Sequence, residues 1–304
     1  ERRRIKLIDG LSRCVPEVLL LQEVQGTTQA NKNDHFTDLK NTLAEVGYEL
    51  GAYGRLAGAN GMELGTEAKS KSKKKPHIGN AIFFKGQAWQ RLAEGRINFA
   101  QLLAARCGED TAQSEHYASG NQVAVWARLQ HVHTQRVVIV VSVHVGANWR
   151  NPDTQVAQVD AMLNELSQIA KDGDSLIIGG DFNSMPVSGV YTLLSTGELS
   201  ADHPDANPKN PKVSKVCGDD GFRSSFKLCS AYAVLCGEPQ FTTMTGMPPG
   251  SDEQAFSGTL DYIWFSPQTL RPVPGTALQM PSAADASKEN GGLPNSTVPS
   301  DHLP

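Results

Sequence analysis

The order of apolar runs and amphipathic stretches along the 304 residues predicts one α/β domain. Three observations carry that prediction. Short runs rich in β-branched and aromatic residues, notably Val137–Val145 and Leu176–Ile178, are too short for buried helices and read as core strands. At least one long segment, Thr154–Ile169, repeats apolar residues at helical spacing. Strand and helix patterns alternate, without internal repeat and without a linker that would separate two cores.

In order, residues 1–15 read as a helix through Ile5, Ile8, Leu11 and Val15, stopped by Pro16. Val18–Leu21 reads as a buried strand ending at Gln22 and Glu23. Phe36–Val46 reads as a helix with Gly47 as its C-terminal cap. Residues 62–76, rich in Lys, Ser and Glu without periodicity, read as a flexible solvated loop. Asn80–Phe84 and Val123–Ala127 are strands, and Val137–Val145 is a strand buried on both faces. The helix over 154–169 turns Val156, Val159, Leu163, Leu166 and Ile169 inward. A strand over 174–183 follows, then a loop over 203–221, a last strand over Thr259–Phe265, and a Pro-, Ala-, Ser- and Gly-rich loop over 271–299.

Bulk composition excludes some functions. Hydrophobic residues make up 39% and charged residues 20%, and the formal net charge is -4. A nucleic-acid partner would therefore need local positive charge or a bound cation. No run approaches the ~20 apolar residues that span a bilayer, so no membrane partner is expected. The five cysteines, Cys14, Cys107, Cys217, Cys229 and Cys236, have no metal-ligand spacing and no even framework, which implies reduced thiols in an intracellular, cytoplasmic protein. No G-x-S-x-G elbow, phosphate-binding loop or dinucleotide fingerprint occurs.

The residues with chemical promise sit at strand ends. Leu176–Gly180 delivers Asp181 and Asn183; in an extended chain both face one side while Phe182 faces the core. A carboxylate can hold or take a proton from water, and an amide can donate to a phosphoryl oxygen. Glu23 and Asp301 are oxygen donors that suit Mg²⁺, as Asp181 does. Asp261, inside a strand, needs a partner; His302 beside it would be held and made more basic. His144, near the end of an apolar strand, is either a core histidine or a further donor.

These residues lie in five ordered blocks: Leu20-Leu21-Gln22-Glu23-Val24, Val143-His144-Val145, Gly180-Asp181-Phe182-Asn183-Ser184, Leu260-Asp261-Tyr262-Ile263 and Ser300-Asp301-His302-Leu303-Pro304. In these blocks the chain resembles the endonuclease/exonuclease/phosphatase superfamily. Asp181 through Tyr191, Ser230-Ala231-Tyr232, Glu238 through Thr242 and Phe256-Ser257-Gly258 resemble its deadenylase branch of carbon-catabolite-repressor-4 type, with nocturnin, Angel and 2′-phosphodiesterase. The resemblance implies a DNase-I-like sandwich of two sheets flanked by helices. It also implies a strand before residue 1 carrying a metal-site asparagine and a closing strand from Pro304, so the chain reads as a single domain over 1–304 lacking one strand at each end.

The implied roles follow position by position. Glu23 matches a metal ligand, with Asp301 a second candidate. Asp181 matches the aspartate that orients or deprotonates water, and Asn183 the asparagine beside the scissile phosphate. His144 matches a phosphate-contacting histidine, Asp261 an aspartate near the reaction centre and His302 the catalytic histidine. Phe256 matches a base-stacking aromatic, and Pro152 a proline of the same pocket. The implied activity is a Mg²⁺-dependent 3′-to-5′ exoribonuclease on poly(A) that releases 5′-AMP, with one or two metals and Mn²⁺ as a substitute. The alternatives are a 2′-phosphodiesterase or NADP 2′-phosphatase of the nocturnin type and, from another class, an inactive binding or scaffold module.

Overall fold

The computed structural model describes residues 16–26, 35–58, 78–246, 255–287 and 291–303, with Lys6, Gly10 and Asn60 besides. The helix expected over 1–15 and the loop expected over 62–76 lie outside the described residues, apart from Lys6 and Gly10. Two sheets stack face to face. The smaller has the order β1-β3-β2, from Val18–Gln25, Ile78–Lys85 and Tyr48–Arg55. The larger has six strands in the order β10-β13-β7-β6-β5-β4, where β4 is Trp89–Asn98, β5 Val123–His131, β6 Val137–His144, β7 Ser175–Asp181, β10 Cys229–Ser230 and β13 Asp261–Phe265.

Side-chain alternation along the strands builds a layer on each side of each sheet. Ala52, Ile82 and Phe84 of the small sheet meet Val125, Ala127, Leu129, Val138 and Val140 of the large one. The outer face of the small sheet, with Leu19, Ala81 and Phe83, is covered by Leu39 and Leu43 of α1 (His35–Glu45). The outer face of the large sheet packs Val141, Val143, Ile178 and Trp264 under two helices. These are α4 (Pro152–Ile169), with Val156, Val159 and Leu163, and α5 (Gly189–Thr196), with Val190 and Leu193. Helices α2 (Phe99–Cys107) and α3 (Thr111–Tyr117) join β4 to β5, each with an N-cap side chain, Asn98 and Asp110, accepting from a backbone N–H of its first turn.

The two sheets and outer helices match the expected sandwich. Gly47 caps α1 at φ +83. The first three turns of α4 depart from a simple amphipathic pattern: Asp153, Gln155, Gln158 and Asp160 are buried along with the apolar stripe. Ile169, expected inward, is only half-buried. Segments 48–55 and 89–117, unassigned from sequence, form β2, β4, α2 and α3. β4 shows mostly exposed residues, among them Arg91, Glu94 and Arg96, so no alternation marks it. The 271–299 segment holds a short helix, α7 (Ala283–Ala286), and buries Ala286 and Leu293 beside Phe241 and Leu303. Small pairings complete the described elements: β8 (Glu198–Leu199) with β9 (Phe222–Arg223), and β11 (Thr243–Thr245) with β12 (Phe256–Gly258). The short helix α6 (Ala231–Leu235) follows β10. Cys107, Cys217, Cys229 and Cys236 carry free thiols, and no helix among the described residues is long and apolar enough to cross a membrane.

Candidate active site

Three neighbouring strands end together. β6 and β7 run parallel, joined by the α4 crossover, and β13 runs antiparallel to β7. Register therefore places His144 and Asp261 on either side of Asp181. The carboxyl ends of parallel strands are where open α/β sheets commonly bind ligands.

Asp181 and Asn183 come together by a different route from the one their spacing suggests. Regular strand geometry ends at Asp181, and Asn183 sits at φ +48. The Asn183 N–H donates to Asp181 Oδ1 at 2.7 Å, a local turn closed by the aspartate's own carboxylate. Asn183 Nδ2 donates to Asp181 Oδ2 at 3.2 Å and to the Val145 carbonyl at 2.8 Å. Extended alternation is thus replaced by a side-chain-stabilised turn. Phe182 between them is fully buried in the core, as expected; truncating such a ring costs about 3–5 kcal/mol, so it anchors the turn. Gly180, at φ +145, is required one residue earlier: a Cβ there would lie 2.0 Å from the Val143 carbonyl oxygen.

Asp261 and His302 form the second half. His302 Nδ1 lies 2.8 Å from Asp261 Oδ2, and Thr242 Oγ1 donates to the same oxygen at 2.6 Å. Thr242 Oγ1 also accepts from the N–H of Leu260 at 2.9 Å and of Asp261 at 3.1 Å. The segment carrying His302 docks by pairing with Thr243, and the Leu303 N–H donates to the Thr242 carbonyl at 2.7 Å. Burial alone would lower the His302 pKa; the hydrogen bond and charge of Asp261, with Asp181 and Asp301 adding to it, raise it to about 9. His302 is therefore cationic at neutral pH.

Burial, then the charge of Asp261, lifts Asp181 to about 7, against the opposing pull of His302 and the Asn183 N–H. His144 Nε2 lies 3.5 Å from Asp181 Oδ2. Burial holds His144 below its ordinary value although Glu23 pulls it upward. Glu23 faces its other nitrogen, with Oε1 3.9 Å from Nδ1 and the side chain well exposed. Glu23 arrives there through a bulge: Gln22 and Glu23 together oppose Asn80, and Glu23 adopts φ +55. Gln22 ties the bulge to β6 by donating to Ser142 Oγ at 2.9 Å, which donates to the Leu21 carbonyl at 2.9 Å.

The structure thus brings together His144, Asp181, Asn183, Asp261 and His302, with Glu23 at the rim. Asp301 is exposed, and its backbone carbonyl accepts from Thr243 Oγ1 at 2.8 Å. Phe256 stands on β12, half-buried, and Pro152 opens α4. Thr242 and Gln22 lie within the motif blocks but had no role assigned to them, and Ser142 and Gln155 lie outside the blocks. Gln155 Nε2 donates to the carbonyls of Asn183 at 2.8 Å and Gly146 at 3.1 Å, clamping the Asn183 turn to the loop after His144.

Donor atoms of Asp181, Asp261 and His302 all lie within 4.8 Å of one another. Two carboxylates, one of them held partly protonated by burial and then by the other's charge, form a donor set that a hard divalent cation would stabilise. His302, already bonded to Asp261, fits better as the cationic neighbour of a phosphate than as a Mg²⁺ ligand.

Comparison with known proteins places the chain in a family. The family model described as "Endonuclease/Exonuclease/phosphatase family" matches residues 1–302. The CCR4-Not complex 3′-5′-exoribonuclease subunit Ccr4 of Debaryomyces hansenii is 30% identical over 255 residues, covering 79% of this chain and 28% of that protein. The chain thus spans well under half the length of that relative. Among solved structures, ANGEL2, a 2′,3′-cyclic phosphatase, superposes with a TM-score of 0.67 at 20% identity, over 98% of this chain and 82% of its own. The human Nocturnin catalytic domain superposes at 0.54 with 22% identity, over 88% and 75%. These last two likenesses bear on the fold. The chain belongs to the endonuclease/exonuclease/phosphatase family.

Proposed function

We propose that this chain is the catalytic part of a Mg²⁺-dependent 3′-to-5′ exoribonuclease that shortens poly(A) and releases 5′-AMP, acting in the cytoplasm. The observation that carries the reading is the convergence of Asp181, Asn183, Asp261, His302 and His144 on one pocket of strand ends, supported by the likeness to Ccr4. Asp181 accepts a proton from the attacking water as the oxygen–phosphorus bond forms and the bond to the 3′ oxygen breaks. Asn183 orients that carboxylate, with both protons of its amide taken by Asp181 Oδ2 and the Val145 carbonyl. His302, held charged by Asp261, and His144 offset the charge that builds on the phosphoryl oxygens.

Asp181, Asp261 and Glu23, with Asp301 as a further candidate, would hold the divalent cation, Mg²⁺ or Mn²⁺. Such an ion, when bound, lends positive charge to the phosphoryl and leaving oxygens. Phe256 offers a face to the base of the bound nucleotide, worth about 1–3 kcal/mol, and Pro152 belongs to the same wall.

Oligo(A), oligo(U) and NADP incubated in parallel with Mg²⁺ test the reading. Stepwise loss of 5′-AMP from the 3′ end of oligo(A), stopped by EDTA, is the expected result. Release of the 2′ phosphate of NADP with oligo(A) left intact would instead select the 2′-phosphatase reading. No product from any of the three would leave the chain a binding module.

A further inference from the structure

Trp149 lies on the connection between β6 and α4, five residues past His144, and is 49% exposed. The connection is pinned. The Gly146 N–H donates to Gln158 Oε1 at 2.9 Å, Gln155 Nε2 donates to the Gly146 carbonyl at 3.1 Å, and Asn148 Nδ2 donates to Thr154 Oγ1 at 3.2 Å. Gln155 and Gln158 are both buried, so the loop is fixed from inside while its tryptophan is held in solvent. An indole exposed on a fixed loop loses apolar burial with no gain to the fold.

The indole faces Phe256 with ring centroids 5.6 Å apart and planes at 50°. Phe256 is supported from behind: a Cβ on Gly258 would touch Phe256 Cζ at 2.8 Å and Met185 Sδ at 2.6 Å, so ring and thioether crowd the same glycine. Met185 is two residues past Asn183. The aromatic pair therefore joins the loop that leaves His144 to β12, beside Met185 of the segment that follows Asp181.

A planar base held between two rings needs about 7 Å between them, twice the ~3.5 Å contact distance. The pair leaves less than that. We propose that Trp149 is a displaceable wall of the base subsite: an adenine entering against the supported face of Phe256 turns the Trp149 indole aside and is then covered by it. Trp149 is a specificity-determining residue on this view, favouring the larger stacking surface of a purine. The proposal rests on the reading of the centre as one that takes a nucleotide 3′ end.

Oligo(A) and oligo(U) titrated in EDTA, where nothing is cleaved, test it through tryptophan fluorescence. The chain has four tryptophans, so W149F assigns the signal. Oligo(A) is expected to change the emission of the wild type but not of W149F. W149L is expected to weaken oligo(A) binding about tenfold and to reduce the preference over oligo(U), with W149F restoring most of both. With Mg²⁺, the same loss should appear in KM rather than kcat. A W149L protein that binds oligo(A) as the wild type does, or an emission change that persists in W149F, would overturn the proposal. Binding is read without turnover, so absence of hydrolysis would count against the activity and leave the Trp149 result standing.

Discussion

The floor and the rim of the site are built on opposite principles. The floor, Asp181 and Asn183, is buried, set by strand register and closed by a turn whose hydrogen bonds are internal. The rim, Glu23 and Trp149, is exposed; Glu23 faces His144 from a bulge, and Trp149 stands on the pinned loop that leaves His144. Burial raises the proton affinity of a carboxylate and strengthens every charge interaction around it. Exposure leaves a side chain free to move and weakly coupled. On the proposed reading, chemistry belongs to the floor, and affinity and selection to the rim.

The largest expected effect breaks the floor. Asp181→Asn should lower kcat on oligo(A) by roughly 10²–10⁴-fold, and added Mg²⁺ should not restore it. The same variant should alter stability in a defined direction. In EDTA the folded-state pKa of Asp181, about 7, exceeds its ordinary 3.8, so the native state binds the extra proton between these values. Wild-type stability should then fall from this group as pH rises from about 4 to about 7, and the variant should lack that slope in thermal melts. Wild-type kcat left intact in the variant would remove Asp181 from the mechanism.

Next comes the Asp261–His302 pair. In Asp261→Asn the burial of His302 is opposed only by the lesser pull of Asp181 and Asp301, so its pKa should drop from about 9. The alkaline limb of the activity profile should move down, with kcat at pH 7.5 reduced about 10²-fold. The stability that His302 contributes to the metal-free protein is fully present below about 6.5 and lost as pH rises through about 9. Melts of the variant should be flat over that window. An unchanged alkaline limb would show that His302 charge plays no part.

The rim should respond more gently. Glu23→Gln should raise the Mg²⁺ concentration for half-maximal activity about tenfold, with kcat largely recovered at saturating Mg²⁺. Failure of saturating metal to recover activity would move Glu23 from rim to floor. Among these three variants, Glu23→Gln should change the melting temperature least, because the side chain is exposed.

Much of the architecture was legible where physics acts locally. β1, β3, β5, β6, β7 and β13 showed as apolar runs, and α4 as a 3.6-residue pattern. Segments with weaker patterns were not legible. β2 carries Gly51 and Gly54, and β4 is largely exposed, so neither shows the alternation of a half-buried strand. α5 opens inside the Asp181–Tyr191 motif with β-branched Val190 and Thr192, and only its packing against the large sheet makes it a helix. The site was legible as residue types in order. Its polar supports were not: a threonine, two glutamines and a serine are common residues, and nothing in one sequence marks Thr242 as the partner of Asp261.

By itself the sequence determined which strands are buried and which polar side chains stand near their ends, because burial and alternation are properties of a few neighbouring residues. Only the tertiary structure decided that His144, Asp181 and Asp261 lie side by side, that Asn183 bends back onto Asp181 and that Trp149 meets Phe256. Those contacts depend on sheet order, register and backbone turns. The energies that fix them come from residues far apart in the chain, and no local pattern records them.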